Sequence, residues 1–161
     1  MTTIFPPRLV QLAQPKQLAG IRTRTTNADE ATPASGKIPA LWGRFFSERV
    51  AQSVPGYTPQ SSLYGVYSGY ASDAHGAYDL TAAVLADTVP DGLVGITVPA
   101  GVYLVFEGQG AMPATVVAVW GAVWQYFADA PAYPRTYAAD FEEYSGDGRV
   151  AVYIGVQAPQ R

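Results

Sequence analysis

Leu41-Trp42-Gly43-Arg44-Phe45, followed by Val66-Tyr67-Ser68-Gly69, has a counterpart later in the chain: Val123-Trp124-Gln125-Tyr126-Phe127, followed by Glu143-Tyr144-Ser145-Gly146. In each copy a Trp-bearing segment with helical spacing precedes a strand-like segment holding Tyr-Ser-Gly. The Trp-to-Tyr separation is 25 residues in the first copy (42 to 67) and 20 in the second (124 to 144). An internal repeat bounds the architecture, because each unit buries its apolar face against its twin. The seam between twins is a natural place for a ligand cavity. The copies differ at one charged position, with Gly65 in the first where Glu142 stands in the second. A carboxylate present in one twin alone is the first candidate for chemistry.

Outward from the repeat, the pattern reads as strand–helix–strand–strand, twice. Leu9–Leu12 and Leu18–Arg24 alternate as strands, and Thr26 to Lys37 is a polar loop. Pro39 suits the first position of a helix. In that helix Ile38, Leu41, Trp42, Phe45, Phe46 and Val50 form one apolar stripe, opposite Arg44, Ser47, Glu48 and Gln52. Leu63 to Ser72 and Tyr78 to Leu85 read as antiparallel strands around the turn Ser72-Asp73-Ala74-His75-Gly76. Val89 to Gly92 is a turn; Leu93–Val98 and Val102–Glu107 are extended. The second helix runs from about Pro113 to Ala128 without a charge, and Val116, Val119, Trp120, Val123, Trp124 and Phe127 make its apolar face. It is too short for a membrane span, which needs roughly 20 residues. Its other face, Ala114, Ala118, Ala122 and Gln125, is bare enough to raise the expectation of a homodimer contact. Thr136–Tyr144 and Arg149–Val156 close the chain around a turn at Ser145-Gly146-Asp147-Gly148. The expected class is α+β, an antiparallel sheet with two main helices on one face. Residues 1–161 read as a single domain built from repeats at about 8–87 and 92–157.

Composition excludes several functions. There is no cysteine and one histidine, so thiolate or nitrogen-rich metal sites and cysteine nucleophiles are not expected, and no cofactor is implied. Absence of cysteine and of a signal-like start points to the cytoplasm. The net charge is −3, and every Lys and Arg lies at or before Arg49 or at or after Arg135. The stretch between holds Asp73, Asp79, Asp87, Asp91, Glu107 and Asp129 and would tolerate or attract cations. Clustered cations for nucleic-acid phosphates are missing.

Chemical motifs are few. Gly108-Gln109-Gly110 lacks the rest of a phosphate loop, His75 reads as an exposed turn residue, and no serine sits in a nucleophile elbow. What remains is Asp140-Phe141-Glu142-Glu143-Tyr144. Strand alternation puts Asp140, Glu142 and Tyr144 on one face and Phe141 and Glu143 on the other. One glutamate can face water while the other faces inward. A buried, unpartnered carboxylate is costly and titrates high. A cationic ligand would offset it, with surrounding rings adding roughly 0.5–2 kcal/mol each.

Four segments carry a family resemblance: Ile38-Pro39-Ala40-Leu41-Trp42-Gly43-Arg44-Phe45-Phe46, Leu63-Tyr64-Gly65-Val66-Tyr67, Val98-Pro99-Ala100-Gly101-Val102-Tyr103-Leu104-Val105-Phe106, and Asp140-Phe141-Glu142-Glu143-Tyr144. In this order, within about Leu18 to Val156, the chain resembles the GyrI-like effector-binding superfamily. It is most similar to the integron cassette-encoded branch, which is related to the ligand domains of AraC-type and multidrug-sensing regulators. The resemblance implies two βαββ units related by a pseudo-twofold axis, with a cleft for bulky, often cationic, aromatic compounds. The family's glutamate, followed two residues later by an aromatic, matches Glu142 and Tyr144; its helix aromatics match Trp120 and Trp124. The family's frequent fusion to a helix-turn-helix is not expected here, for want of room and of a basic patch.

The leading expectation is a stand-alone binder of lipophilic, cationic aromatic small molecules, with Glu142 as counter-charge. Tyr144, Tyr67, Tyr103, Phe106, Trp120 and Trp124 are the candidate walls, and parity alone does not say which of them face the cleft. Neither nucleic acid nor membrane is an expected direct partner. The alternative implied by the resemblance is a hydrolase of electrophilic aromatic natural products, using Glu142 as general acid/base. A third reading is a protein-interaction role.

Overall fold

The computed structural model of the protein describes residues 2–128 and 131–157; Asp129 and the extreme ends of the 1–161 domain lie outside them. The strands are β1 (Thr3–Ile4), β2 (Arg8–Leu12), β3 (Lys16–Thr25), β4 (Leu63–Ser68), β5 (Tyr78–Leu85), β6 (Val94–Val98), β7 (Gly101–Gln109), β8 (Arg135–Tyr144) and β9 (Arg149–Val156). The helices are α1 (Asn27–Glu30), α2 (Ile38–Ser47) and α3 (Ala114–Ala128). All pairings are antiparallel, in the order β1-β7-β9-β8-β4-β5-β3-β6, with β2 sharing the β7 edge with β1. The two units β3-α2-β4-β5 and β7-α3-β8-β9 meet at the adjacent inner strands β4 and β8, as the α+β reading expects. The strand that leads into each unit pairs with the other one: β2 with β7, and β6 with β3.

Period-2 alternation sorts the core into layers. Leu41 and Phe45 of α2 pack with Ala19, Ile21, Leu80, Ala82 and Val84 of β3 and β5. Val119 and Val123 of α3 pack with Leu104, Phe106, Val150, Val152 and Ile154 of β7 and β9. Gly108 makes the second packing close, since a Cβ there would lie 2.7 Å from Val119 Cγ2. Alternate residues Leu18, Tyr64, Val66, Val98, Tyr103, Val105 and Phe141 fill a separate cluster on the opposite face. Each long helix thus covers the outer strands of its own unit, and the inner strands β4 and β8 lie bare between them.

Burial also shifts the alignment of the repeat. Leu41 and Phe45 are buried, Trp42 half-buried and Phe46 exposed; Val119, Val123, Trp120 and Trp124 follow the same sequence of burial. Trp42 therefore corresponds to Trp120, one helical turn before Trp124. The Trp-to-Tyr spacing becomes 25 (42 to 67) and 24 (120 to 144). Boundaries differ from expectation as well: the strand from Leu63 ends at Ser68 rather than Ser72, where Gly69 takes a left-handed φ of 60°. Helix α2 stops at Ser47, Arg49 turns into the left-handed region (φ 51°), and Val50 is buried beyond the helix rather than on its stripe. The polar loop contains one helical turn, α1, capped by the Thr26 hydroxyl, which accepts from Asp29 N–H at 3.0 Å.

That turn positions Glu30, whose carboxylate accepts the backbone N–H groups of Lys37 (2.8 Å) and Ile38 (3.1 Å) at the start of α2. These are orphan donors at the positive end of the helix dipole, and α2 has no cap from its own N-cap residue. On α3, Ala114, Ala118 and Gln125 are exposed and Ala122 is half-buried. No helix among the described residues is long and apolar enough to cross a membrane. Glu30→Ala is expected to lower stability by about 1–2 kcal/mol, the usual loss on deleting a helix cap; chemical denaturation followed by circular dichroism measures it.

Candidate functional site

The bare strip of β4 and β8 is the floor of a cavity of about 810 Å³. Ile38, Pro39, Trp42 and Phe46 of α2 form one wall, and Val116, Val117, Trp120 and Trp124 of α3 the other. Helix α1 adds Asn27 and Glu30, the loops add Tyr70, Ala74, Met112 and Pro113, and the strands add Leu63, Tyr67, Tyr78, Arg135, Glu142 and Tyr144. All three tryptophans of the chain are among these residues. Phe46, Val117 and Trp124, exposed by 60, 66 and 53 %, line it together with exposed Met112. A concave, apolar wall with few polar groups suits a lipophilic guest.

Glu142 lies at the centre of the floor and is 4 % exposed. Three neutral donors hold it. Trp120 Nε1–H (2.7 Å) and the Tyr67 hydroxyl (2.8 Å) donate to Oε2, and the Tyr144 hydroxyl (2.9 Å) donates to Oε1. Burial is the larger influence and raises the carboxyl above its ordinary value, while the three donors favour the ionised form and limit the rise. Burial, and then the charge of Glu142, push the Tyr67 and Tyr144 hydroxyls well above the usual phenol range, so both remain donors. Tyr78 is pushed up to about 12, first by burial and then by Glu30 and Glu142.

Gly65 is paired directly with Glu142 across β4 and β8. A Cβ on Gly65 would lie 2.8 Å from Glu142 Oε1 and 3.4 Å from Trp42 Cζ2. The glycine is therefore the space in which the carboxylate sits. Across the seam the rings match in pairs: Trp42 meets Tyr144 edge-on at 5.7 Å, and Trp120 meets Tyr67 edge-on at 5.1 Å.

Of the candidates named from sequence, Glu142, Tyr144, Tyr67, Trp120 and Trp124 come together around this cavity. Tyr103 and Phe106 do not. Tyr103 points to the opposite face of the sheet, 2 % exposed, with its hydroxyl donating to Pro99 O at 2.6 Å. Phe106 has helix-side parity but lies beneath α3 against Tyr126 and Phe127. His75 is exposed in its turn, as expected. Trp42, Phe46, Tyr70, Tyr78, Glu30 and Arg135 line the cavity without having been singled out. The apolar stripe of α2 already contained Trp42 and Phe46; nothing local marked Arg135. No group of acidic or His side chains suited to a metal occurs among the described residues.

An open antiparallel sheet with two helices parted over a roomy apolar cavity defines a small-molecule-binding domain. The chain belongs to the family of integron-associated effector-binding proteins, Cass2, whose family model matches residues 8–156. The integron cassette protein VCH_CASS2 from the mobile metagenome of Vibrio cholerae is 33% identical, with a TM-score of 0.85 over 97% of this chain and 99% of that one. Two further solved structures share the fold at 24% identity. One is SAV2435 bound to tetraphenylphosphonium (TM-score 0.75, 96% of this chain, 95% of that one). The other is a putative bacterial transcription regulation protein from Staphylococcus aureus MU50 (TM-score 0.73, 95% and 99%). No curated protein matches the chain.

Glu142 should leave a signature in stability. Its unfolded value is near 4.5 and its folded value is higher, so the folded state binds a proton more tightly. That contribution is complete below the unfolded value and is lost as pH climbs through the folded one. Glu142→Gln is expected to remove this decline; urea unfolding of both proteins across the mildly acidic range reads it, and parallel pH profiles would contradict it.

Proposed function

We propose that the chain binds lipophilic aromatic cations in the cavity between α2 and α3, with the Glu142 carboxylate as counter-charge. The observation that carries the reading is the environment of Glu142: a nearly fully buried carboxylate whose hydrogen-bond partners are a Trp and two Tyr, all uncharged. An ionised group in this position is expensive until an opposite charge arrives. The hydrogen bonds preorganise the anion, and indole and phenol faces add cation–π attraction. The cavity volume of about 810 Å³ fits one drug-sized molecule. SAV2435, bound to tetraphenylphosphonium and sharing the fold, supports a bulky organic cation as the guest.

The donors also bear on the hydrolase alternative. Trp120 and Tyr67 occupy both acceptor positions of Oε2 and Tyr144 one of Oε1, so Glu142 has little acceptor capacity left with which to take a proton from a water. Binding without turnover is the reading the geometry favours.

Because every tryptophan lines the cavity, intrinsic fluorescence reports on its occupation. Titration with tetraphenylphosphonium should quench it saturably. Glu142→Gln should weaken binding at least about tenfold, equivalent to about 1.4 kcal/mol. Affinity for this permanent cation should rise with pH as Glu142 loses its proton, then level off, and the Gln variant should show no such rise. Equal affinity in both proteins would reject the counter-charge role; hydrolysis of an activated aryl ester that depends on Glu142 would favour the enzyme instead.

A further inference from the structure

Among the described residues, three charged side chains, Glu142, Glu30 and Arg135, line the cavity. Glu30 is spent on the backbone of α2, and the three donors around Glu142 are spent on its carboxylate. Arg135 differs. Its side chain is 7 % exposed, and Nη2 donates to Asp140 Oδ2 at 2.6 Å. Asp140 is fully buried and also accepts the Tyr70 hydroxyl and, at 2.8 Å, the backbone N–H of Gly155. The guanidinium lies 4.4 Å from the centre of the Tyr137 ring. Its Nε–H has no partner, and among the described residues it is the one buried side-chain nitrogen or oxygen so left. A buried donor without an acceptor is costly, but Nε is closed off from the cavity. Nη1 makes no hydrogen bond to a described residue and is not closed off, so it is the donor this wall offers a guest.

We infer that the Arg135 end of the cavity is a second subsite, one that takes a neutral hydrogen-bond acceptor of the ligand, a carbonyl-type oxygen, against the guanidinium. This rests on the cavity being the ligand site. The charge of Arg135 is already matched by Asp140, so a guest carboxylate would bring an uncompensated charge beside Glu142. A neutral oxygen completes the donor set without that cost. Asp140 and Glu142 are two residues apart on one face of β8, about 7 Å along the strand. The preferred guest is therefore a lipophilic cation that carries a carbonyl a few bonds from its charge, not an unadorned hydrocarbon cation.

The test uses two triphenylphosphonium probes of equal length, one ending in an ethyl ester on a butyl spacer, the other all hydrocarbon, titrated by tryptophan quenching. The natural protein should prefer the ester by about five- to tenfold. Arg135→Met with Asp140→Asn, paired so that no buried charge is stranded, should bring the ratio close to one. Arg135→Lys keeps the ion pair but removes the Nη1 donor and should lower the ratio as well. The same ratio in all three proteins overturns the subsite. Should neither phosphonium bind, the cation reading fails by itself. A neutral pair, the ethyl ester of naphthalenebutanoic acid and hexylnaphthalene, is then decisive: ester preference lost with Arg135 upholds the subsite, while no preference or no binding overturns it.

Discussion

One carboxylate sits where two equivalent positions of a repeat coincide. Gly65 and Glu142 correspond in the repeat, and they are also opposite one another across β4 and β8. The local twofold axis therefore passes between them, and whatever one unit places there competes with its own copy. With Glu142 Oε1 2.8 Å from where a Gly65 Cβ would stand, one side must be empty for the other to be occupied. Two carboxylates in that space would also repel strongly at low dielectric. The asymmetry between the copies follows from the symmetry of the frame. Donors from both units converge on the single group: Tyr67 from the first, Trp120 and Tyr144 from the second.

The cavity around that group is a consequence of where the helices rest. Each covers the outer strands of its own unit, where Leu41 and Phe45, or Val119 and Val123, find apolar partners. The centre of the sheet receives no cover, and aromatic side chains lean over it from either side. Half-buried Trp42 and Trp120 and exposed Phe46 and Trp124 occupy matching positions on the two walls. Large exposed apolar groups gathered at one cleft rather than scattered are the mark of a binding surface.

Much of this was legible in the chain. Strand alternation by itself places Asp140, Glu142 and Tyr144 on one face, because a period of two leaves no other choice. The helix phase was harder. Trp42 and Trp124 share flanking apolar residues, yet the correspondence that burial selects is Trp42 with Trp120, since a helix offers similar patterns one turn apart. Tyr103 and Phe106 illustrate the limit of parity. Parity fixes the face of a strand, but not which element covers that face, and α3 covers Phe106. Glu30 and Arg135 were out of reach for a different reason. Glu30 caps a helix that begins eight residues later, and the pairing of Arg135 with Asp140 spans the one irregularity between β8 and β9. Both depend on how the chain closes on itself, which no local spacing records.

The crossed lead strands set the limits of divisibility. β2 completes the edge of the second unit and β6 the edge of the first, so each half of the chain holds a piece the other lacks. Cut between β5 and β6, either half would present an unpaired strand edge, the feature that most readily recruits another chain. A half-length chain could regain its edge strand from a second copy of itself, in the manner of a domain-swapped dimer. Joining the halves covalently converts an exchange between molecules into an internal one, and frees one copy to become the glycine while the other becomes the glutamate.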